Sequence, residues 1–494
     1  MGYGKRPVTV DRVYGCNYGF DHKPPIHLLQ AASEAKANLG WDVRLLDAPA
    51  EGMDKAAFED FVASERYDVV LHWTTYLSAI EDLAAARVVR DRMPGTPKHV
   101  FMGTASTWKP DEFEVSKDTY CLLGEAENTL ADLDAAWKGE RKLEGMDGLA
   151  WWTNGSCERG GFRQLLDVSK LAMPDRRLLR GTYRANRLNA DPITVMVLSR
   201  GCGFRCTFCT PNAVDQAIEL EFKRLQPRYV DRPPLRKRTV DQIVAEFEDV
   251  ASLGYKGVEV ADNVFTWGKA RTTEICDRIA PLGLKWVCLA RANMLHDEPT
   301  LRSMANAGCK LVYMGSESFD DGLLSDMQKD LKVADVRKAV IACRAAGIEP
   351  EVSVLMGGSA KESWGTLYRS WRAARSLGTD FVHFSAALPA PSTELYDLAR
   401  EGGWFVDGDF VPADNQRDAI VNLPNLSATE LRAALKFAYV TQYLHPKSLV
   451  HHVKTLRSPT DLLHKARAAG RLFSYLAEPA ATSPIPPGRV TPVS

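Results

Sequence analysis

Apolar positions in the first 150 residues come in short runs, near 8–13, 43–46, 69–71, 99–102 and 120–123. Longer stretches with helical spacing, such as 25–39 and 80–92, separate them. Short apolar runs bounded by polar residues predict strands, and the longer periodic stretches predict amphipathic helices. Their alternation predicts an α/β domain with a doubly wound parallel sheet over residues 1–150. Sheets of this kind take ligands beyond the carboxyl ends of their strands. Those ends carry Cys16, Asn17 and Tyr18, then Asp47, Thr74, Thr75 and Tyr76, then Gly103, Thr104 and Ser106, and finally Gly124 and Glu125.

A second alternation begins after a stretch at 151–190 that reads as a linker, opening on Trp151 and Trp152 and turning basic at Arg176 and Arg177. Its strands are expected at 194–198, 257–261, 285–290, 310–314, 351–356 and 381–385, with helices such as 240–252 and 333–346 between them. Consecutive strand–helix units without hairpin signals predict a partial (β/α)6 barrel over 191–400, with chemistry on the loops after the strands. From 401 to 479 the apolar spacing is helical, at 428–445, 449–456 and 459–476. Residues 480–494 are rich in Pro, Ser and Thr and are expected to form a tail without its own core.

Composition narrows the class. The 494 residues are 45% hydrophobic and 25% charged, and 62 basic side chains balance 63 acidic ones, for a net charge of −1. No broad nucleic-acid surface is expected from that balance. There is no apolar run of about 18 residues and no signal-like apolar core at the N-terminus, so no membrane span and a cytoplasmic location with reduced thiols are expected. The basic stretch 224–238 reads as a solvated loop, and His445, His451 and His452 as surface residues.

Of ten cysteines, three lie at Cys202, Cys206 and Cys209, directly after the first barrel strand. Three thiolates on one tight loop suit three irons of a 4Fe-4S cluster, whose ligands are cysteine thiolates. The missing fourth thiol leaves one iron open to a non-protein ligand, as catalytic metal sites require. The rival is a structural zinc site, but that chemistry wants four ligands, usually in two pairs, and His296 and His383 are distant singletons. The remaining cysteines, Cys16, Cys121, Cys157, Cys276, Cys288, Cys309 and Cys343, read as scattered small core residues.

The motif C-x3-C-x-aromatic-C resembles the radical S-adenosylmethionine (SAM) superfamily, with Phe208 as the aromatic. Other segments resemble that family in order: 236–240 with Glu246, Asp262 at the second strand end, Gly315, Ser316 and Glu317 at the fourth, Gly357 and Gly358 through Glu362 at the fifth, and 388–396 after the sixth. The resemblance implies a 4Fe-4S cluster on Cys202, Cys206 and Cys209. It also implies SAM bound near Phe208, Asp262, Arg291, Gly315, Ser316, Glu317 and Gly357. Asn263 departs from the pattern, standing where a second acid is usual. So do Ser359-Ala360-Lys361 after the fifth-strand glycines, and Ser392 in place of a glycine.

The α/β domain ahead of such a barrel resembles the cobalamin-binding subfamily, as do the segments 23–29 and 124–129. This implies cobalamin contacts from Asn17, Tyr18, Thr74, Thr75, Tyr76, Leu77, Gly103, Thr104, Gly124 and Glu125. No D-x-H-x-x-G motif is present, which implies an open or weakly occupied lower cobalt face near 74–77. The implied activity is methylation of an unactivated carbon of a small organic substrate through a 5′-deoxyadenosyl radical and methylcobalamin. An electron donor such as flavodoxin or ferredoxin is implied as partner. The substrate is expected between the two domains, capped by the C-terminal helices. An oxidative or ring-forming enzyme resembling the anaerobic magnesium-protoporphyrin ester cyclase is the alternative, and a cobalamin or SAM sensor is the non-enzymatic one. No single residue is assigned as a catalytic acid or base, and the motifs report cofactors rather than the substrate.

Overall fold

The computed structural model describes residues 23–184, 188, 190–225, 232–379 and 381–443. The strand expected at 8–13, the contacts expected from Asn17 and Tyr18, the helices expected beyond 443 and the tail at 480–494 lie outside the described residues. The chain packs as two compact units, one of Met1–Ala185, Asn189–Gly203 and Thr210–Asn263, the other of Asn186–Leu188, Phe204–Cys209 and Val264–Ser494.

In the first unit, α1 (Ile26–Asn38) and α2 (Lys55–Ser64) precede β1 (Val69–Thr74), α3 (Ala79–Arg92), β2 (Lys98–Gly103), α4 (Thr104–Trp108), β3 (Thr119–Leu122) and α5 (Glu127–Trp137). A hairpin follows, β4 (Leu149–Thr153) and β5 (Ser156–Arg159). These strands form one sheet in the order β1-β2-β3-β4-β5. β1, β2 and β3 pair in parallel, whereas β3–β4 and β4–β5 are antiparallel. The expected all-parallel sheet is therefore mixed, and Trp151 and Trp152, expected to open a linker, belong to β4. Leu149 and Ala150 are completely buried, so the hairpin edge is held by core packing.

Residues 43–46, expected as a strand, form no ladder among the described residues. Val43 and Leu45 still face apolar clusters, and Arg44 pairs with Glu51. The alternation of sides is strand-like, but a strand needs a partner, and the neighbour expected at 8–13 lies outside the described residues.

The same unit continues with β6 (Ile193–Met196), β7 (Ser199–Arg200), α6 (Ala213–Leu225), β8 (Arg236–Lys237), α7 (Val240–Ser252) and β9 (Gly257–Val260). β6 and β9 are parallel and wholly buried, while β7 and β8 form a small antiparallel pair that no hairpin signal announced. α7 begins where expected because Thr239 and Gln242 form a reciprocal capping box, satisfying two otherwise orphaned amides.

The second unit runs α8 (Lys269–Ile279), β10 (Lys285–Ala290), α9 (Glu298–Asn306), β11 (Cys309–Glu317), α10 (Asp321–Asp326), α11 (Val333–Ala345), β12 (Glu349–Met356), α12 (Trp364–Ser376), β13 (Val382–Ala386), α13 (Glu394–Glu401) and α14 (Ala428–Tyr443). β10 to β13 pair in parallel and in sequence order. With β6 and β9, these make the six parallel strands expected of the βα repeat. Side-chain caps start several helices, with Asp297 before α9, Asp320 before α10 and Ser363 before α12.

Candidate active site

The approach to the cysteine loop is built from buried charge. Leu198 and Ser199 are held by Asp262, whose Oδ1 accepts from both backbone amides at 2.6 and 3.2 Å and whose Oδ2 accepts from the Ser199 hydroxyl at 2.6 Å. Arg200 donates to Glu125 at 2.7 Å and to both oxygens of Glu127. Burial opposes the charge of Glu127, but Arg200 outweighs it and holds the carboxyl below its ordinary value. Arg236 reaches the same Glu125 at 2.8 Å, and Arg238 pairs with Glu246, which also binds Arg176 at 2.6 Å. The basic stretch expected to be solvated thus sends Arg236 and Arg238 inward. Glu125 and Leu166 O take the protons of Arg236 Nη1, and Glu246 pairs with Arg238, while Arg236 Nε and Nη2 are buried without a partner among the described residues.

Within the second unit, Cys206 is buried and Cys209 half-buried. Thr207, between them, is pinned through its backbone, its N–H donating to Met327 O at 3.1 Å and its carbonyl accepting from Leu395 N at 2.9 Å. Arg291 brings a guanidinium nitrogen to 3.6 Å from the Cys206 sulfur and lies 3.6 Å from the centroid of the Phe204 ring. Phe204 stacks on Trp267 at 5.3 Å. Burial alone would lower the pKa of Lys329, but the negative charges of Glu317 and Cys206 outweigh it and hold the ammonium above its ordinary value. Arg291 thus stands against the Cys206 sulfur, and the Lys329 ammonium is bound to Glu317 in the same unit. Phe208 packs against Leu323, Leu324 and Met327, with the Lys329 ammonium 5.6 Å from its ring centre.

Beside these cations, the end of β11 is shaped by a bulge. Gly315 pairs with Ser353 and Glu317 with Val354, so Ser316 is the extra residue. Bulges of this kind re-aim side chains next to sites. Glu317 takes a left-handed φ of 61°, secured by Lys329 at 2.8 Å. A Cβ on Gly315 would come within 2.2 Å of the Glu317 carboxylate, so a side chain there would push the Glu317–Lys329 pair aside. The Ser316 hydroxyl is fully buried and has no partner among the described residues, and the same holds for Arg291 Nε. A buried hydroxyl without a partner is uncommon in a native fold and fits a ligand group at this strand end. At the next strand end, Gly357 has φ 88° and donates to Glu362 at 3.3 Å; burial lifts the Glu362 carboxyl to about 7.

The strand ends of the first sheet carry hydroxyls. Thr74 bonds to Met102 O at 3.1 Å and to the Ser106 hydroxyl at 3.2 Å, and Thr75 bonds to Ser78 at 3.0 Å. Gly103 lies so close to β1 that a Cβ would stand 2.1 Å from Thr74 O. Tyr76 packs edge-on against Trp108, and Leu77 is half-buried. The Thr104 hydroxyl is fully buried without a partner among the described residues, which fits a polar ligand group at this edge. Glu125 differs from the expectation. Its carboxylate is consumed by Arg200, Arg236 and Leu166 N, so it braces the approach to Cys202 instead of presenting an oxygen to a ligand. Gly124 faces Glu221 of α6, 3.6 Å from where a Cβ would be.

Sequence reasoning missed Lys329, Arg200 and α6. Lys329 lies twelve residues from its partner Glu317, across α10. Arg200 carried no local signal, because its partners lie 73 and 75 residues away. Among the described residues no three His, Cys, Asp or Glu side chains converge on one metal-ion position. A cubane does not require that convergence, since each thiolate binds its own iron.

Residues 196–370 match the Radical SAM superfamily, the family expected from the cysteine spacing. The chain is 26% identical over 448 residues to an uncharacterized methyltransferase of Pyrococcus horikoshii, covering 87% of this chain and 90% of the relative. Its fold is similar to that of TsrM from Kitasatospora setae, a radical SAM methyltransferase whose structure holds cobalamin and a 4Fe-4S cluster. The TM-score is 0.63 at 19% identity, covering 84% of this chain and 82% of TsrM. It is also similar to OxsB, a cobalamin-dependent SAM radical enzyme, with a TM-score of 0.65 at 15% identity, covering 92% of this chain and 69% of OxsB. At these identities the structural likeness is one of fold.

Proposed function

We propose that the chain, which shares the fold of the cobalamin-dependent radical SAM enzymes TsrM and OxsB, is a radical SAM enzyme that methylates an unactivated carbon of a small organic substrate. The observation that carries the reading is the Arg291 guanidinium 3.6 Å from the buried Cys206 sulfur, together with a buried Ser316 hydroxyl that has no partner among the described residues. In this reading Cys202, Cys206 and Cys209 ligate the cluster. Phe208, Arg291, Gly315, Ser316, Glu317 and Gly357 surround SAM, whereas Asp262, expected among them, is spent on Leu198 and Ser199; Thr74 to Leu77, Gly103 and Thr104 receive cobalamin. When bound, the cluster supplies the electron that cleaves SAM, and cobalamin supplies a methyl carrier.

The chain's own residues do the rest. Arg291 stands against the buried Cys206 sulfur, and Lys329 holds Glu317. Ser316 offers its hydroxyl to the ligand, and the bulge at 315–317 fixes its direction. Phe204 and Trp267 stack beside Arg291, and such apolar cover strengthens electrostatic contacts by excluding water. The electron is proposed to come from a small donor such as ferredoxin or flavodoxin. The expected setting is the cytoplasm, with activity lost in air. No helix among the described residues is long and apolar enough to cross a membrane.

The test is anaerobic reconstitution followed by cofactor counting and incubation with methyl-labelled SAM and cell extract. About four irons and one cobalt per chain, with label in a small organic product, are expected. Cobalt near zero without a cobalamin spectrum overturns the cobalamin reading. SAM cleavage without label transfer favours the ring-forming alternative.

A further inference from the structure

The cysteine loop leaves the first unit after Gly203 and re-enters it at Thr210, so both its ends lie in one compact body. Its entry is Gly201, which takes φ 85° and has no room for a side chain, since a Cβ would meet Pro234 O at 2.4 Å. Its exit is Asn212, fully buried just before α6.

Two side chains join these ends. Asp215, on the first turn of α6, accepts from Gly201 N at 2.8 Å through one oxygen. Its other oxygen accepts from the Asn212 amide at 2.9 Å and the Asn263 amide at 2.6 Å. Asn263 also donates to Gly201 O at 3.3 Å and accepts from Asn212 N at 3.0 Å. The clasp explains why Asn stands where the family pattern has an acid. A carboxylate at 263 would face Asp215 at hydrogen-bond distance and repel it, and it could not donate to Gly201 O.

Resting on the cluster reading above, we infer that Asp215 and Asn263 are positioning residues that close the cysteine loop at its base and so hold its thiolates ready for the cluster. Neither touches the cluster ligands' sulfurs in the bonds described. Both act through the backbone of the loop's ends, as supporting hydrogen bonds orient metal ligands elsewhere.

The test uses the full chain, reconstituted anaerobically, and reads iron release to a ferrous chelator, the electron-spin spectrum of the reduced cluster and the unfolding midpoint. Asn263→Ala is the milder variant, because Asn263 is only half-buried. It is expected to speed iron release about tenfold and broaden the cluster spectrum, while the unfolding midpoint moves little. Asp215→Asn sets amide against amide and is expected to do the same. Exchanging the two, Asp215→Asn with Asn263→Asp, restores one donor–acceptor pair and should release iron more slowly than either single variant. Release rates and spectra like those of the wild type, or faster release that only tracks a lower midpoint, overturn the inference. A wild-type chain that takes up no iron overturns the cluster reading itself, and the inference with it.

Discussion

Arg200, two residues before Cys202, has its guanidinium closed off by Glu125 and Glu127, whereas Arg291, 3.6 Å from the Cys206 sulfur, keeps Nε without a partner. Both are buried arginines, yet they spend their donors differently. Around Arg200 the bonds are made within the protein, and Asp262 and Arg176 continue the same pattern with Ser199 and Glu246. Around Arg291 some capacity is held back, in its Nε and in the Ser316 hydroxyl. Buried charge that is fully paired makes a rigid frame, while buried capacity left unused serves a ligand.

The largest effect should come from Cys206→Ala. It is expected to abolish 5′-deoxyadenosine formation under anaerobic reducing conditions, measured by chromatography. Retained cleavage by a cluster-free variant would sink the iron–sulfur assignment. On the frame side, Arg200→Met leaves Glu127 buried without its guanidinium. A loss of about 3–5 kcal/mol in chemical denaturation is expected.

An intermediate effect belongs to acid. His99 is fully buried against His72 in the first sheet, and burial lowers its pKa to about 4. The unfolded chain, with an ordinary imidazole, takes up protons first as pH falls through about 6.5. Stability from this group is therefore complete above about 6.5 and is lost on the way down to about 4, by roughly 3 kcal/mol. His99→Gln should remove the His99 share of that acid loss, leaving the share of His72, whose pKa burial lowers to about 3.

The smallest effect on stability, and the sharpest test of the contrast, is Ser316→Ala. Its hydroxyl has no internal partner, so the unfolding free energy should change by less than about 0.5 kcal/mol while SAM affinity falls. Ser199→Ala, which removes a bond to Asp262, should instead cost about 1–2 kcal/mol and leave the SAM dissociation constant nearly unchanged. If both serines behave alike, the distinction between frame and ligand site fails.

Most of the second alternation was legible as period and punctuation. The limits of α7 were read to the residue, because Thr239 and Gln242 announce its start. β11 ran longer than expected, through the bulge at Ser316 and Glu317, because the extension depends on pairing with β12 and on Lys329. The mixed character of the first sheet was hidden for a related reason. β4 contains the aromatic pair Trp151 and Trp152, which reads equally as the start of a linker, and only the pairing of β4 with β3 and β5 decides it.

The sequence by itself determined the cysteine loop, since three thiols within eight residues after a buried strand are held together by chain connectivity alone. It also determined the βα rhythm, because a 3.6- or 2-residue period is a local property. Only the tertiary structure decided which polar groups are spent and which are kept. Arg200 meets Glu127 across 73 residues and Ser199 meets Asp262 across 63, separations that no local pattern encodes. Such pairs form because a charge taken out of water must find its counter-charge, wherever along the chain that lies.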